Sequence, residues 1–178
     1  MSEVARLPEA WQAADADMDA PLSFESFFEE EMERLLRALY VITGSRAEAE
    51  DIAQDAFIKI LERWDSVRTM ENPSGYLYRT AMNRFRNEYR RTAIALRRAV
   101  GLAPAPDVFE AVDDRDLAVH SLGRLPSRQR AALVLTEGLG FSGEETGRIL
   151  GIKASTVWAL THQAREALKG TREEVLDG

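Results

Sequence analysis

The chain has 178 residues, 45% of them hydrophobic, and a net charge of −7, room for one ordinary domain or two small ones. It has no Cys, and its two His, His120 and His162, lie far apart. A disulfide framework and a thiolate zinc site are therefore excluded, and neither a metal centre nor a cofactor is expected. No apolar run approaches a membrane span and no signal peptide opens the chain, so a cytoplasmic protein without a membrane span is expected.

Residues 1–22 are rich in Ala, Asp and Glu and read as an acidic disordered tail, with Trp11 the one residue there able to dock. Over residues 1–33 ten acids stand against a single Arg, so the negative charge is concentrated at this end. From Ser23, the residues Phe24, Phe28, Leu35, Leu39 and Ile42 recur at helical spacing, and Gly44 closes the helix. Ser45-Arg46-Ala47-Glu48 is a capping-box pattern that opens a second helix. Its apolar stripe is Ala49, Ile52, Ala53, Ala56, Phe57, Ile60, Leu61 and Trp64. The opposite face is Asp51, Gln54, Asp55, Ile58 and Glu62. An apolar side chain beside compact acids suits the centre of a docking surface.

Asp65–Asn72 reads as a loop, and Pro73 suits the first turn of the next helix. Along that helix Leu77, Ala81 and Phe85 share one side. Tyr76, Arg79, Asn83, Arg86, Asn87 and Arg90 share the other. Guanidiniums hold phosphates, Asn reads base edges, and a ring stacks on an unpaired base. Between Arg79 and Arg98 seven Arg face one acid, Glu88, a local positive concentration in an acidic chain. Nucleic-acid contact is therefore favoured over a merely solvated face. The helix is expected to fray over Ala93–Ala99.

The spacing predicts an all-α chain of two small helical domains, 23–97 and 115–170, joined by a linker over 98–114 and followed by a tail over 171–178. Leu117–Leu122 reads as a short helix, and a helix runs from Pro126 to Leu135 until Gly138 and Gly140 break it. Ser142-Gly143-Glu144-Glu145 is a further capping box. The short helix it opens ends at Leu150-Gly151, and a longer one runs from Ala154 to Lys169, a helix-turn-helix pattern.

Together the segments resemble an extracytoplasmic-function sigma factor of bacterial RNA polymerase, over roughly residues 24–170. The likeness rests on Ala49–Phe57, on Asn72-Pro73 with Tyr76-Leu77-Tyr78-Arg79 and Asn83, and on Leu125–Arg130 with Gly151-Ile152, Thr156-Val157, His162 and Ala164. The resemblance implies a non-enzymatic protein that binds core polymerase, recognises a promoter and opens the duplex. It implies that Asp51, Gln54, Asp55, Ile58 and Lys59 face the polymerase clamp helices, and that an anti-sigma protein is a further partner. Tyr76, Arg79, Asn83 and Arg86, with Asn87 and Arg90 on the same face, would contact the minus-ten element, and the loop at 65–72 would help hold a flipped base. Arg148, Lys153, Ser155, Thr156, Trp158, His162 and Arg165 would face DNA from the helix-turn-helix. Here the chain departs from the family, which usually has Lys or Arg at the positions of Trp158, Leu160 and Gln163 and a capping Ser where Lys153 stands. Weak reading of the minus-thirty-five element is expected. Leu160 is expected at a core edge beside Val157 and Ala164.

Two other classes compete. A decoy that only captures an anti-sigma protein would not need the intact Arg and Asn face. A helix-turn-helix repressor would need an effector pocket that residues 24–91 do not suggest. For an enzyme, Glu144-Glu145 and Asp113-Asp114 are adjacent in sequence, so helical pairs of this kind would not share a face.

Overall fold

The computed structural model describes residues 22–100 and 122–176, of which 92–100 and 171–176 are described by backbone alone. Most of the acidic tail with Trp11, nearly all of the linker, His120 and most of the helix expected over Leu117–Leu122 fall outside the described residues. The described elements are all helical: α1 Phe24–Thr43, α2 Arg46–Glu62, α3 Trp64–Val67, α4 Pro73–Val100, α5 Ser127–Leu133, a π-helical turn Val134–Gly138, α6 Gly143–Leu150 and α7 Ala154–Leu176.

The helix ends follow local chemistry. The Ser23 side chain accepts from the Ser26 N–H, and Gly44 closes α1 in the left-handed region with its N–H on the Tyr40 carbonyl. Ser45 accepts from the Glu48 N–H at the start of α2. Both halves of the capping box are formed at α6, where Glu145 also accepts from the Ser142 N–H. That bond, with the Ser142 hydroxyl, holds the Glu145 carboxyl below its ordinary range.

The core begins between α1, α2 and α4. Phe27, Leu35, Leu39, Ile52, Phe57, Ile60, Leu77 and Ala81 are fully buried there. The same cluster continues without a break into Ala131, Leu135, Ile149 and Leu150. A separate small cluster, Leu125, Leu133 and Ala164, fixes α5 to α7. The two helical units thus share one core instead of standing apart on the linker.

Several expectations change at particular residues. Leu61 was expected in the buried stripe of α2, but it is 55% exposed. Its neighbour Ile60 takes the inward position, and the chain turns at Arg63 into α3, which starts at Trp64. The stretch expected as a loop from Asp65 therefore begins inside a helical turn, and Val67 is fully buried. The fourth helix continues to Val100 rather than fraying over Ala93–Ala99, and the last continues past Lys169 to Leu176. The helix from Pro126 gives way at Val134 to a π-helical turn, where the Leu139 N–H reaches the Val134 carbonyl at 3.0 Å and the Phe141 N–H the Leu135 carbonyl at 3.0 Å.

Glu31 is buried on α1, an unexpected place for an acid. One carboxylate oxygen accepts from the Ser74 hydroxyl at 2.6 Å and from Arg34 at 3.4 Å. Burial first, and the Glu31 charge second, raise the Tyr78 phenol above its ordinary value. Its folded pKa thus lies above the unfolded one, so its contribution to stability is full below about pH 10 and is lost as pH rises beyond it. The Tyr78 hydroxyl lies near the Glu31 carboxylate but makes no well-formed hydrogen bond among the described residues. Tyr78→Phe is therefore expected to hold stability within ~1 kcal/mol at neutral pH and to flatten its fall above about pH 10. Denaturant melts of both proteins across that range check this, and parallel pH curves would refute it.

Candidate nucleic-acid interface

The α4 face is built as its periodicity requires. Leu77, Tyr78, Ala81, Met82 and Phe85 are buried. Arg79, Asn83, Arg86, Asn87 and Arg90 are all exposed on the other side, and Tyr76 is half-buried. Asn72 starts the helix: its side-chain oxygen accepts from the Gly75 N–H at 2.7 Å. The Tyr76 hydroxyl receives Arg63 at 3.4 Å. Arg84, one of the seven Arg of this region, is neutralised: it meets Asp55 at 2.6 Å and Glu88 at 2.6 Å. Those bonds, Asp55 first, raise its pKa. The positive face is thus carried by Arg79, Arg86 and Arg90.

The α2 face combines charged and apolar side chains. Asp51, Gln54, Ile58 and Lys59 are exposed, while Asp55 is half-exposed and tied to Arg84. Ile58 does not stand alone. With the exposed Leu61 it borders an open apolar groove of about 500 Å³, floored by Phe24, Phe28, Met32 and Leu36 of α1. This groove is the feature that sequence reasoning missed. Its signal was present: Ile58 and Leu61 are spaced to share a helix face, as are Phe28, Met32 and Leu36.

In the second unit, Gly151 takes φ +66° between α6 and α7, a conformation that favours Gly. A Cβ on Gly147 would meet the Ile152 carbonyl at 2.8 Å, so Gly lets the turn fold back onto α6. The first turn of α7 closes with the Val157 N–H donating to the Lys153 carbonyl at 3.1 Å. Ser155, Thr156, Trp158 and His162 are all exposed on α7, as are Arg148 and Lys153 beside them. Trp158 is 60% exposed, and its indole lies over Gly143, where a Cβ would stand 3.1 Å from the ring. Arg165 is held by Glu137 at 2.5 Å, which occupies one of the expected phosphate donors. Leu160 is half-buried at the edge of the core and also lines the seam with Met82 and Phe85 of α4.

The two sets of basic residues converge. Arg79 of α4 and Arg148 and Lys153 of the second unit border one open groove of about 630 Å³. The Arg86 guanidinium donates to the Leu150 carbonyl and to the Asn83 side-chain oxygen. Partial burial, then Arg128 and Arg79 nearby, lower its pKa.

An exposed Asn- and Arg-bearing helix face, an open apolar groove and a helix-turn-helix on one all-helical chain fit the class of DNA-binding transcription proteins. The Sigma-70 region 2 family matches residues 27–94 and the Sigma-70 region 4 family residues 115–168. The ECF RNA polymerase sigma factor SigM of Mycobacterium tuberculosis is 30% identical over 82% of this chain and 75% of its own length. The ECF RNA polymerase sigma factor SigE of Mycolicibacterium smegmatis is 30% identical over 88% of this chain, which spans 64% of that relative's length. The fold is shared with a sigma factor RpoE solved in complex with the anti-sigma factor NepR from Bartonella quintana, with a TM-score of 0.70, 23% identity and coverage of 84% of this chain and 96% of that one. The chain belongs to the extracytoplasmic-function sigma factors, promoter-recognising initiation factors of bacterial RNA polymerase.

Proposed function

We propose that this sigma factor opens promoters chiefly through its minus-ten contacts, made by Tyr76, Arg79, Asn83 and Arg86, with Asn87 and Arg90 on the flanking phosphates. The observation that carries this is the exposed Arg and Asn face of α4 in an otherwise acidic chain. Asp51, Gln54, Asp55, Ile58 and Lys59 dock onto the clamp helices of core polymerase, and the groove at Phe28 and Met32 extends that surface. An anti-sigma protein is a competing occupant of these surfaces. The factor works in the cytoplasm with polymerase and performs no catalysis itself. Among the described residues no helix is long and apolar enough to cross a membrane.

The second unit contributes less. Arg148 and Lys153 hold phosphates, while Ser155, Thr156 and His162 lie at base edges. Trp158 stands where the family usually supplies a cation, and Arg165 is engaged by Glu137. Each absent bidentate contact forfeits about 1–3 kcal/mol of discrimination. Run-off transcription with purified core polymerase tests this. Scrambling the minus-ten element of a mapped promoter should abolish product, whereas scrambling the minus-thirty-five element should lower it only modestly. Equal losses would show that α7 reads DNA strongly.

A further inference from the structure

Glu31 is an acid that the promoter contacts do not use, and it is 2% exposed on α1. A buried charge is costly, and a well-packed apolar side chain of similar volume is often neutral or stabilising in its place. One Glu31 oxygen accepts from the Ser74 hydroxyl at 2.6 Å and from the half-exposed Arg34 at 3.4 Å. The other makes no well-formed hydrogen bond among the described residues. The fold thus keeps a partly satisfied acid where apolar packing would serve. What that acid holds is the first turn of α4. Ser74 is the second residue of this helix. Beside it the Asn72 side-chain oxygen accepts from the Gly75 N–H at 2.7 Å. A Cβ on Gly75 would stand 2.9 Å from the Asn72 amide nitrogen, so the turn is tightly closed. Further along α4, Arg84 meets Asp55 of α2 at 2.6 Å. Two polar ties therefore join α4 to its own unit, and Tyr76, Arg79 and Asn83 lie between them. The Arg84–Asp55 tie is open to water, which weakens it. The Ser74 tie ends on a buried carboxylate.

We propose that Glu31 is a positioning residue for promoter opening: through the Ser74 hydroxyl its buried carboxylate fixes the start of α4, and so the aim of Tyr76, Arg79 and Asn83. The inference rests on α4 being the promoter-reading helix. Glu31 is too deeply buried to reach a nucleotide, so it acts through Ser74. A hydrogen bond to a carboxylate is shorter and stronger than a neutral one, and burial shields it from competing water. Contacts to base edges are directional and weaken steeply when misaligned. A small rotation of α4 about its axis therefore costs base contacts while the helix itself stays whole. Apolar packing of Leu77 and Ala81 is non-directional and resists such a rotation less than a fixed polar pair does.

The variants are made in the full chain and assayed with purified core polymerase on a mapped promoter. Glu31→Met keeps most of the volume and removes the acceptor. It should melt at or above the temperature of the parent, because an apolar group replaces a buried charge, and it should pull down core polymerase as the parent does. Open-complex formation should nevertheless fall about ten-fold, the loss of roughly one good base contact. Glu31→Gln keeps an acceptor for Ser74 and should open promoters within about three-fold of the parent. In the Glu31→Met background, Ser74→Ala should cost nothing further, since the bond is already gone. A purely structural Glu31 gives another pattern, with melting, pull-down and opening falling together. That pattern, parent-like opening by a folded Glu31→Met chain, or an equal loss in Glu31→Gln would each overturn the positioning role. Should Glu31→Met not fold, Ser74→Ala against Ser74→Thr decides: the first should lose opening and the second, which keeps the hydroxyl, should retain it, and equal opening by both would sink the idea. Arg79→Ala tests the underlying reading separately. If it opens promoters as the parent does, α4 is not the reading helix. If it fails while Glu31→Met succeeds, the positioning role alone falls.

Discussion

Ile58→Glu is expected to leave the helical circular-dichroism signal and melting unchanged and to abolish pull-down of core polymerase. The first half follows from exposure: Ile58 is 49% exposed on α2, with the buried stripe behind it at Ala53, Phe57 and Ile60. A carboxylate there stays in water, so the cost to the free fold is small. The second half follows from desolvation. On docking, the side chain would be covered at the centre of an apolar groove with Phe28, Met32 and Leu61. A carboxylate covered there without a partner costs several kcal/mol, and even about 2 kcal/mol weakens binding roughly thirty-fold. Leu61→Glu should do the same if the groove is part of the surface. Loss of helicity would mean that the period of α2 is misread, and retained pull-down would mean that the face is idle.

The helices were legible because their signals are local. Ser23, Gly44, Ser142 and Gly151 cap where side-chain and φ preferences require. The α4 stripe follows from periodicity alone. What was not legible depends on contacts distant in sequence. Glu31 is buried where Ser74, 43 residues away, donates to one of its two carboxylate oxygens. Asp55 was assigned to a docking face, but Arg84 reaches it from α4, which leaves Ile58, Asp51 and Gln54 as the freer part of that face. Leu160 was expected at a core edge beside Val157 and Ala164, but that this edge also borders Met82 and Phe85 was not legible, because the spacing of α7 cannot say that α4 lies beside it. The same limit hid the packing of the two units: a linker composition announces a boundary and says nothing of whether the parts on either side touch.

Asn83→Ala is expected to reduce open-complex formation about 5- to 150-fold at saturating polymerase, the range given by the loss of about 1–3 kcal/mol for a good base contact. Core binding should be unchanged, because Asn83 is on α4, away from Ile58 and the groove on α2. The residue is exposed and projects from the side opposite Leu77 and Ala81, so truncation removes no core contact. A second effect runs the other way. Asn83 also accepts from Arg86, so truncation frees one donor of that guanidinium. The variant's non-specific affinity for single strands should then not fall in step with transcription. Arg86→Ala separates the two contributions. It removes a phosphate contact, so it should weaken binding across all sequences and reduce the salt slope by about one. Asn83→Ala should keep the salt slope and lose discrimination at one position. Titrations of both variants against matched and substituted minus-ten strands at several salt concentrations decide the matter. If Asn83→Ala transcribes as the parent does and keeps full discrimination, Asn83 makes no base contact.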